Sequence, residues 1–378
     1  MHAKRSVFYY LLVLSFLIFA FFTNDFNLVN VQKTAIVTAI AIDRDDENFM
    51  LTAAVANPAL QTGSSQSTQG GGGENGGYVT VEGKGGTVAE ALENINSKTG
   101  WYPKLVFCRL LILGENLCNG NVFDALDYFL RSEYAADDCL IAAADGNAKE
   151  LISAKAPTKG IVSEAIEKVL SDQPKQVGAV LTNSLRPFAV SYFSAGGSSY
   201  APILKKESGD GGDTFSAEET ALFVGGKRIG KLTPEQTFAL ACVKNPLRLA
   251  SYTVTDRQTP TTLVLKRNVR KLRLSFDNET PVMHVRLTMY ANLTDTAKGE
   301  NTDNLSGREG TDAPFSAAAE QLKVQLEQTF SACKAIGFDA FDAIGRLQKY
   351  ENNRYPQLKD ALIERLQLAL DVRFVAIR

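Results

Sequence analysis

The spacing of apolar and polar positions changes several times along this chain, and each change marks an element. Leu105 to Leu113 is a nearly unbroken apolar run, interrupted by Arg109 and closed by Gly114. That is the pattern of a strand buried on both faces. Val122, Leu126, Phe129 and Leu130 then recur at helical spacing up to Arg131. Leu140 to Ala144 is a second short apolar run, followed by helix-forming sequence to about Ala154. From Trp101 to Pro157 the order is therefore strand, helix, strand, helix, which predicts helices laid against a sheet. A lone charge inside a buried run is costly, so Arg109 is expected to pair or to reach the strand end.

Upstream, Ala35 to Asp43 is rich in β-branched residues, and Phe49 to Ala56 is its return strand. Arg44 to Asn48 supply the turn between them. The acidic cluster Asp43, Asp45, Asp46 and Glu47 lacks the central Gly and distal Glu of a calcium loop, so it reads as a hairpin tip. Gln61 to Gly77 is a Gly, Ser and Gln tract that cannot bury a core and reads as a surface loop. Tyr78 to Glu82 alternates as a strand. Gly83-Lys84-Gly85-Gly86-Thr87 reads as a turn into a helix with Val88, Leu92 and Ile95 on one face. The glycines do not have phosphate-loop spacing.

Downstream, residues 157–187 are helical in pattern, with Ile161, Ala165, Val169 and Leu170 as the apolar stripe. Tyr200 to Leu204 reads as extended. Lys205 to Asp213 is charged and Gly-rich, reads as a linker, and sets the main sequence boundary. Phe215 to Val224 and the run through Leu232 form a hairpin about Gly225-Gly226. Thr233-Pro234-Glu235-Gln236 is a capping box with Pro at the first helical position, ahead of an apolar helix from Phe238 to Val243. Thr262 to Phe276 and Pro281 to Leu293 alternate as strands, the first with a basic and an apolar side. His284 lies in the second and has no evident partner. Ser316 to Ile336 is a long helix with Leu322, Leu326, Phe330 and Cys333 as its stripe. Gly337 to Phe341 breaks it, Tyr355-Pro356 opens another helix through Leu366, and Leu370 to Ile377 is a closing strand.

Composition narrows the possibilities. The 378 residues are 45% hydrophobic and 22% charged, normal for a globular chain long enough for two or three domains. The net charge of −2 gives no reason to expect a nucleic-acid partner. Five cysteines are widely spaced, without a Cys-x-x-Cys or a companion His pattern, so a zinc site is not expected. At the N-terminus, His2, Lys4 and Arg5 precede an apolar run from Val7 to Phe22 broken by Ser15. A helix from Ser6 to Asn24 would be roughly 28 Å long, close to a hydrocarbon core of about 30 Å. The run ends in Phe19-Ala20-Phe21-Phe22-Thr23, a bulky and poor signal-peptidase site, and reads as an uncleaved anchor with the remainder outside the cytoplasm; a secretory signal that is removed is the alternative.

Taken in order, these segments resemble the C subunit of nutrient germinant receptors of spore-forming bacteria, the Ger(x)C family. The hairpin at Ala35–Asp43, Ala54-Val-Ala-Asn-Pro58, Gly86 to Leu92, Leu111-Ile-Leu-Gly-Glu115 and Leu126 to Arg131 carry the resemblance in the N-terminal half. The long helix, the turn at Asp339, the Tyr355-Pro356 step and the final strand carry it in the C-terminal half. Asp43, Gly114, Glu115, Arg131, Asp339 and Pro356 are the family-motif positions, structural or interfacial in role. The resemblance implies a multi-lobed α+β fold of several sheets packed with helices, here preceded by one N-terminal transmembrane helix. Residues 1–25 would be the anchor, 30–205 an N-terminal region and 206–378 a C-terminal region. It implies a place at the spore inner membrane, A-type and B-type receptor subunits as partners, and a small-molecule germinant bound by the complex rather than by this chain alone. Family members carry a lipidated Cys just before the first hairpin, and Phe22 to Lys33 has none; the apolar run reads as its substitute.

Catalytic signatures are missing from the sequence. It has no Gly-x-Ser-x-Gly, no His-Glu-x-x-His and no Cys/His couple. The carboxylate pairs Asp124/Asp127 and Glu90/Glu93 read as solvated helix faces. A non-enzymatic receptor subunit without cofactor is the expected function. A stand-alone, membrane-tethered ligand-binding protein and an extracytoplasmic hydrolase are the alternatives.

Overall fold

The computed structural model describes residues 10–17, 34–56, 78–100, 102–132, 135–155, 161–172, 178, 180–209, 212–256, 259–296 and 312–377. The hairpin β1 (Thr34–Asp45) and β2 (Asn48–Ala56) pairs as its sequence predicts, turning at Asp46 with φ of 49°. β3 (Tyr78–Gly85) adds to β2 and feeds α1 (Val88–Thr99), whose first turn is capped by Thr87. On its other side β1 runs parallel to β4 (Tyr102–Lys104) and then to β5 (Leu110–Leu113). Next come α2 (Glu115–Asn119), α3 (Phe123–Arg131), β6 (Leu140–Ala144), α4 (Ala148–Ile152), α5 (Val162–Ser171), β7 (Asn183–Ser184) and α6 (Leu185–Phe193). β8 (Ser198–Gly209), β9 (Gly212–Val224) and β10 (Lys227–Leu232) complete a ten-stranded sheet. Its main order is β10-β9-β8-β6-β5-β1-β2-β3, and β1, β5, β6 and β8 are parallel.

Helices on both faces of this sheet explain the unbroken apolar runs. Leu111 and Leu113 of β5 join one core with Ile95, Leu126 and Phe188, while Leu110 and Ile112 join a second with Leu151, Ile166 and Leu170.

A four-stranded sheet follows α7 (Pro234–Lys244), whose capping box forms as its sequence predicts. The strands are β11 (Ala250–Asp256), β12 (Thr259–Asp277), β13 (Thr280–Thr296) and, parallel to β13, β14 (Gln367–Ala376). One face packs on α7 and α8 (Asp312–Ala335), burying Leu263, Leu265, Met283, Leu287, Leu322 and Leu326. At the β12 bulge, Asn268 donates to the Cys242 and Asn245 carbonyls at 2.6 and 2.9 Å and accepts from the Leu247 N–H. It thereby satisfies the C-terminal end of α7. Between α8 and β14 lie α9 (Ala343–Tyr350), α10 (Tyr355–Leu358) and α11 (Leu362–Arg365).

Several expectations need correction. Leu105 to Leu113 is not one strand: β4 gives way to a 3-10 turn at Leu105–Phe107 before β5 begins. The cause lies in the neighbour. β1 shifts register between Val37 and Ala39, and the Arg109 N–H bonds the Thr38 carbonyl at that step. Arg109 itself is exposed and lies 3.5 Å from Asp138. Lys205 to Asp213 is no linker but the tip of the β8–β9 hairpin, where Gly209 pairs with Gly212. Asp213 pins that tip, its carboxylate and N–H both bonding the backbone of Lys155. The α5 face is rotated from the expected stripe: Val162, Ile166 and Leu170 are buried, while Ile161, Ala165 and Val169 lie at the margin. The helix expected through Leu366 is two single turns.

Gly83 and Gly85 stay within β3 rather than forming the turn. A Cβ on Gly83 would strike the Ala91 carbonyl and the Ile95 side chain; one on Gly85 would lie 2.6 Å from the Ala91 nitrogen. They are the contact surface on which α1 lies against the strand.

Of the expected anchor, residues 10–17 are helical and exposed, Tyr10 by 76% and Phe16 by 68%. The rest of it, and Gln61 to Gly77, lie outside the described residues. Among the described residues no helix is long and apolar enough to cross a membrane.

The packing of α1 predicts that Gly83→Ala and Gly85→Ala each lower stability by about 1–3 kcal/mol. Gly86→Ala, whose nearest neighbour would be 3.5 Å away, should stay within about 0.5 kcal/mol. Urea denaturation midpoints of the three variants measure this.

Candidate functional site

The parallel strands bring their carboxyl ends to one edge, where open α/β sheets place ligands. Here that edge is filled by the chain's own carboxylate. Asp43, near the end of β1, accepts the Ala148 N–H at 2.8 Å and the Lys149 N–H at 2.9 Å, one on each oxygen. These are first-turn donors of α4, which lack partners within the helix. Asp43 thus occupies the position an anionic ligand takes at a helix N-terminus. Burial pushes its carboxyl up from the usual carboxylate range, and the two N–H bonds pull it back down.

Gly114 belongs to the same unit. It closes β5, its N–H bonds the Ile42 carbonyl at 2.8 Å, and a Cβ on it would collide with the Asp43 carboxylate. The next residue, Glu115, donates its N–H to the Gly146 carbonyl at 2.9 Å. Its carboxylate accepts from Arg228 of β10 at 2.7 Å, and Arg228 also donates to Asn119 at 3.0 Å. The β9–β10 turn that carries Arg228 is docked nearby: Gly225 and Gly226 both have positive φ, and the Val122 N–H bonds the Gly226 carbonyl. Burial pushes the neighbouring Cys118 thiol up to about 12, so it stays protonated.

Asp339 repeats the device at the other sheet. It is buried, and its two oxygens accept the Ala343 and Ile344 N–H groups of α9, each at 2.8 Å. Its own N–H bonds the Ser198 hydroxyl of β8 at 3.3 Å. The residue therefore ties the C-terminal helices to the ten-stranded sheet. Around it lie Asp342, in a left-handed conformation with φ of 56°, and Lys244, which rests on the Tyr200 ring at 5.2 Å. Burial, then the charge on Asp339, raises the Asp342 carboxyl; burial lowers the Lys244 ammonium against the pull of both aspartates.

The structure does not bring all six motif positions together. Asp43, Gly114 and Glu115 form one constellation, and Asp339 stands at the second. Arg131 is 79% exposed and pairs with Asp127 at 2.7 Å, one helical turn away. Pro356 is exposed in the first turn of α10. The partner of Glu115, Arg228, carries no local signal in the sequence, because 113 residues separate the pair.

Catalytic chemistry finds no assembled centre in these residues. Among the described residues no group of three His, Cys, Asp or Glu could hold a metal ion. Ser275 and His284 are 2.8 Å apart, but they lie on an open sheet face, and the nearby Asp371 is engaged by Arg286 and Arg373. The pair therefore lacks the acidic orienting group that makes such a couple a nucleophile and base.

By fold this is a mixed α+β protein of two sheets packed with helices, in which the carboxylates of Asp43 and Asp339 close its own helix ends. Residues 27–206 match the family model described as "Spore germination protein N-terminal domain", and residues 218–373 match "Spore germination B3/ GerAC like, C-terminal". The chain is similar to Spore germination protein B3 of Bacillus subtilis (strain 168), with 24% identity over 226 residues that span 58% of each chain. The solved structure titled "Crystal Structure of the GerBC protein" shares its fold: TM-score 0.53 and 17% identity, covering 90% of this chain and 97% of that one. The chain belongs to the Ger(x)C family of spore germination proteins.

The Asp43–Gly114 contact predicts coupled substitutions. Asp43→Ala should cost about 1–2 kcal/mol through the lost cap, and Gly114→Ala about 1–3 kcal/mol through overpacking. The double variant should cost less than their sum by roughly 1 kcal/mol, because truncating the Asp43 side chain vacates the space that a new Cβ needs. Additive denaturation free energies would refute the contact.

Proposed function

We propose that this chain is the non-enzymatic C subunit of a nutrient germinant receptor, held at the membrane by its N-terminal apolar segment. The observation that carries the reading is the ordered pair of family matches along most of the chain. The exposed apolar helix at residues 10–17 supports the tether, since nothing described packs on it. With Asp43 and Asp339 committed to capping their own helices, the chain acts through its surfaces. It contacts A-type and B-type subunits, and the germinant is bound by the complex. Its contacts differ between the resting and triggered receptor and so bias that equilibrium.

Mild-detergent purification of the tagged chain from spores should recover multi-span membrane proteins. Recovery of the chain alone would count against the subunit reading. Mass spectrometry should find the residues before Thr23 on the mature protein; a mature terminus near Thr23 would overturn the tether.

A further inference from the structure

The four-stranded sheet has one face packed on helices and one face that no described element covers. Along β12, β13 and β14 alternate side chains point to that open face. In register they place Lys271 beside Arg286 and Asp371, Arg273 beside His284, and Arg373 one step further along β14. Lys271 and Arg273 make no ion pair among the described residues, while Arg286 and Arg373 share Asp371 at 3.0 and 2.9 Å. Four permanent cations thus meet one carboxylate, on a chain whose net charge is −2. The charge is segregated, and a shallow hollow of about 400 Å³ opens between these side chains.

We propose that this face docks on an anionic phospholipid surface, with headgroup phosphates seated among Lys271, Arg273 and Arg286. The inference rests on the membrane tether proposed above. Three features favour a lipid surface over a single soluble anion. The cations spread over three strands, about 10 Å across, which is wider than one phosphate. The hollow is open rather than enclosed. The positive field decays within about 10 Å in salt, so it acts on a surface beside which the chain is already held. Each such cation near an anionic bilayer is worth about fivefold in partitioning.

The test uses the full chain in nanodiscs of phosphatidylcholine alone or mixed with phosphatidylglycerol, with acetylation of Lys271 read by mass spectrometry. Lys271 should react several-fold more slowly in the anionic discs. High salt should restore its reactivity, and Arg273→Gln should weaken the protection by about fivefold. Lys227, on the other sheet, is the internal control and should not change. Equal Lys271 reactivity in both discs would overturn the proposal. So would equal protection in neutral discs by inorganic phosphate, an acidic peptide or RNA, which would assign the face to a soluble anion, a protein or a nucleic acid. Failure of the chain to enter neutral discs would instead refute the tether.

Discussion

The carboxylate of Asp43 is the constraint around which the ten-stranded sheet is arranged. It reaches from the end of β1 to the first turn of α4 and accepts two N–H groups that have no partner within the helix. For it to do so, β5 must end in a residue without a side chain. Gly114 meets that need, and its N–H continues the β1–β5 ladder. Glu115 then leaves the strand end in the direction of Arg228, which fixes the β9–β10 hairpin against α2. One half-buried carboxylate therefore sets a strand end, a helix start and the seat of a distant hairpin.

The second aspartate solves the same problem with the same chemistry. Asp339 caps α9 from within, and its backbone is held by Ser198 of the other sheet. The two sheets are joined there by hydrogen bonds through the buried Asp339, with Lys244 and Asp342 beside it nearer the surface. Removing the groups that hold Asp339 would be costly, because its carboxylate would remain buried without them. The joint therefore resists piecemeal change.

Most elements were legible in the linear pattern because their signals are local. The β1–β2 hairpin, the capping box at Thr233, the glycine turn at Gly225-Gly226 and the stripe of α8 each rest on residues within one or two turns of one another. The segments that depart from their local pattern depend on distant neighbours. Leu105 to Leu113 is divided because β1 bulges at Thr38. Lys205 to Asp213 is a hairpin tip because Lys155 is there to hold Asp213. Gly83 and Gly85 have the local spacing of a turn, yet they serve a helix that crosses above them.

The sequence by itself determined the period of each strand and helix, the helix caps and the family, since these depend on side-chain types at fixed local spacing. The tertiary structure alone decided which charges meet. Asp43 with α4, Glu115 with Arg228 and Asp339 with Ser198 are separated by more than 100 residues each, and pairings at that distance follow from strand order. It also decided which face of β12 to β14 is left open. Alternation marks two sides of a strand, but which side receives α8 is settled by packing, and that choice leaves the basic side in solvent.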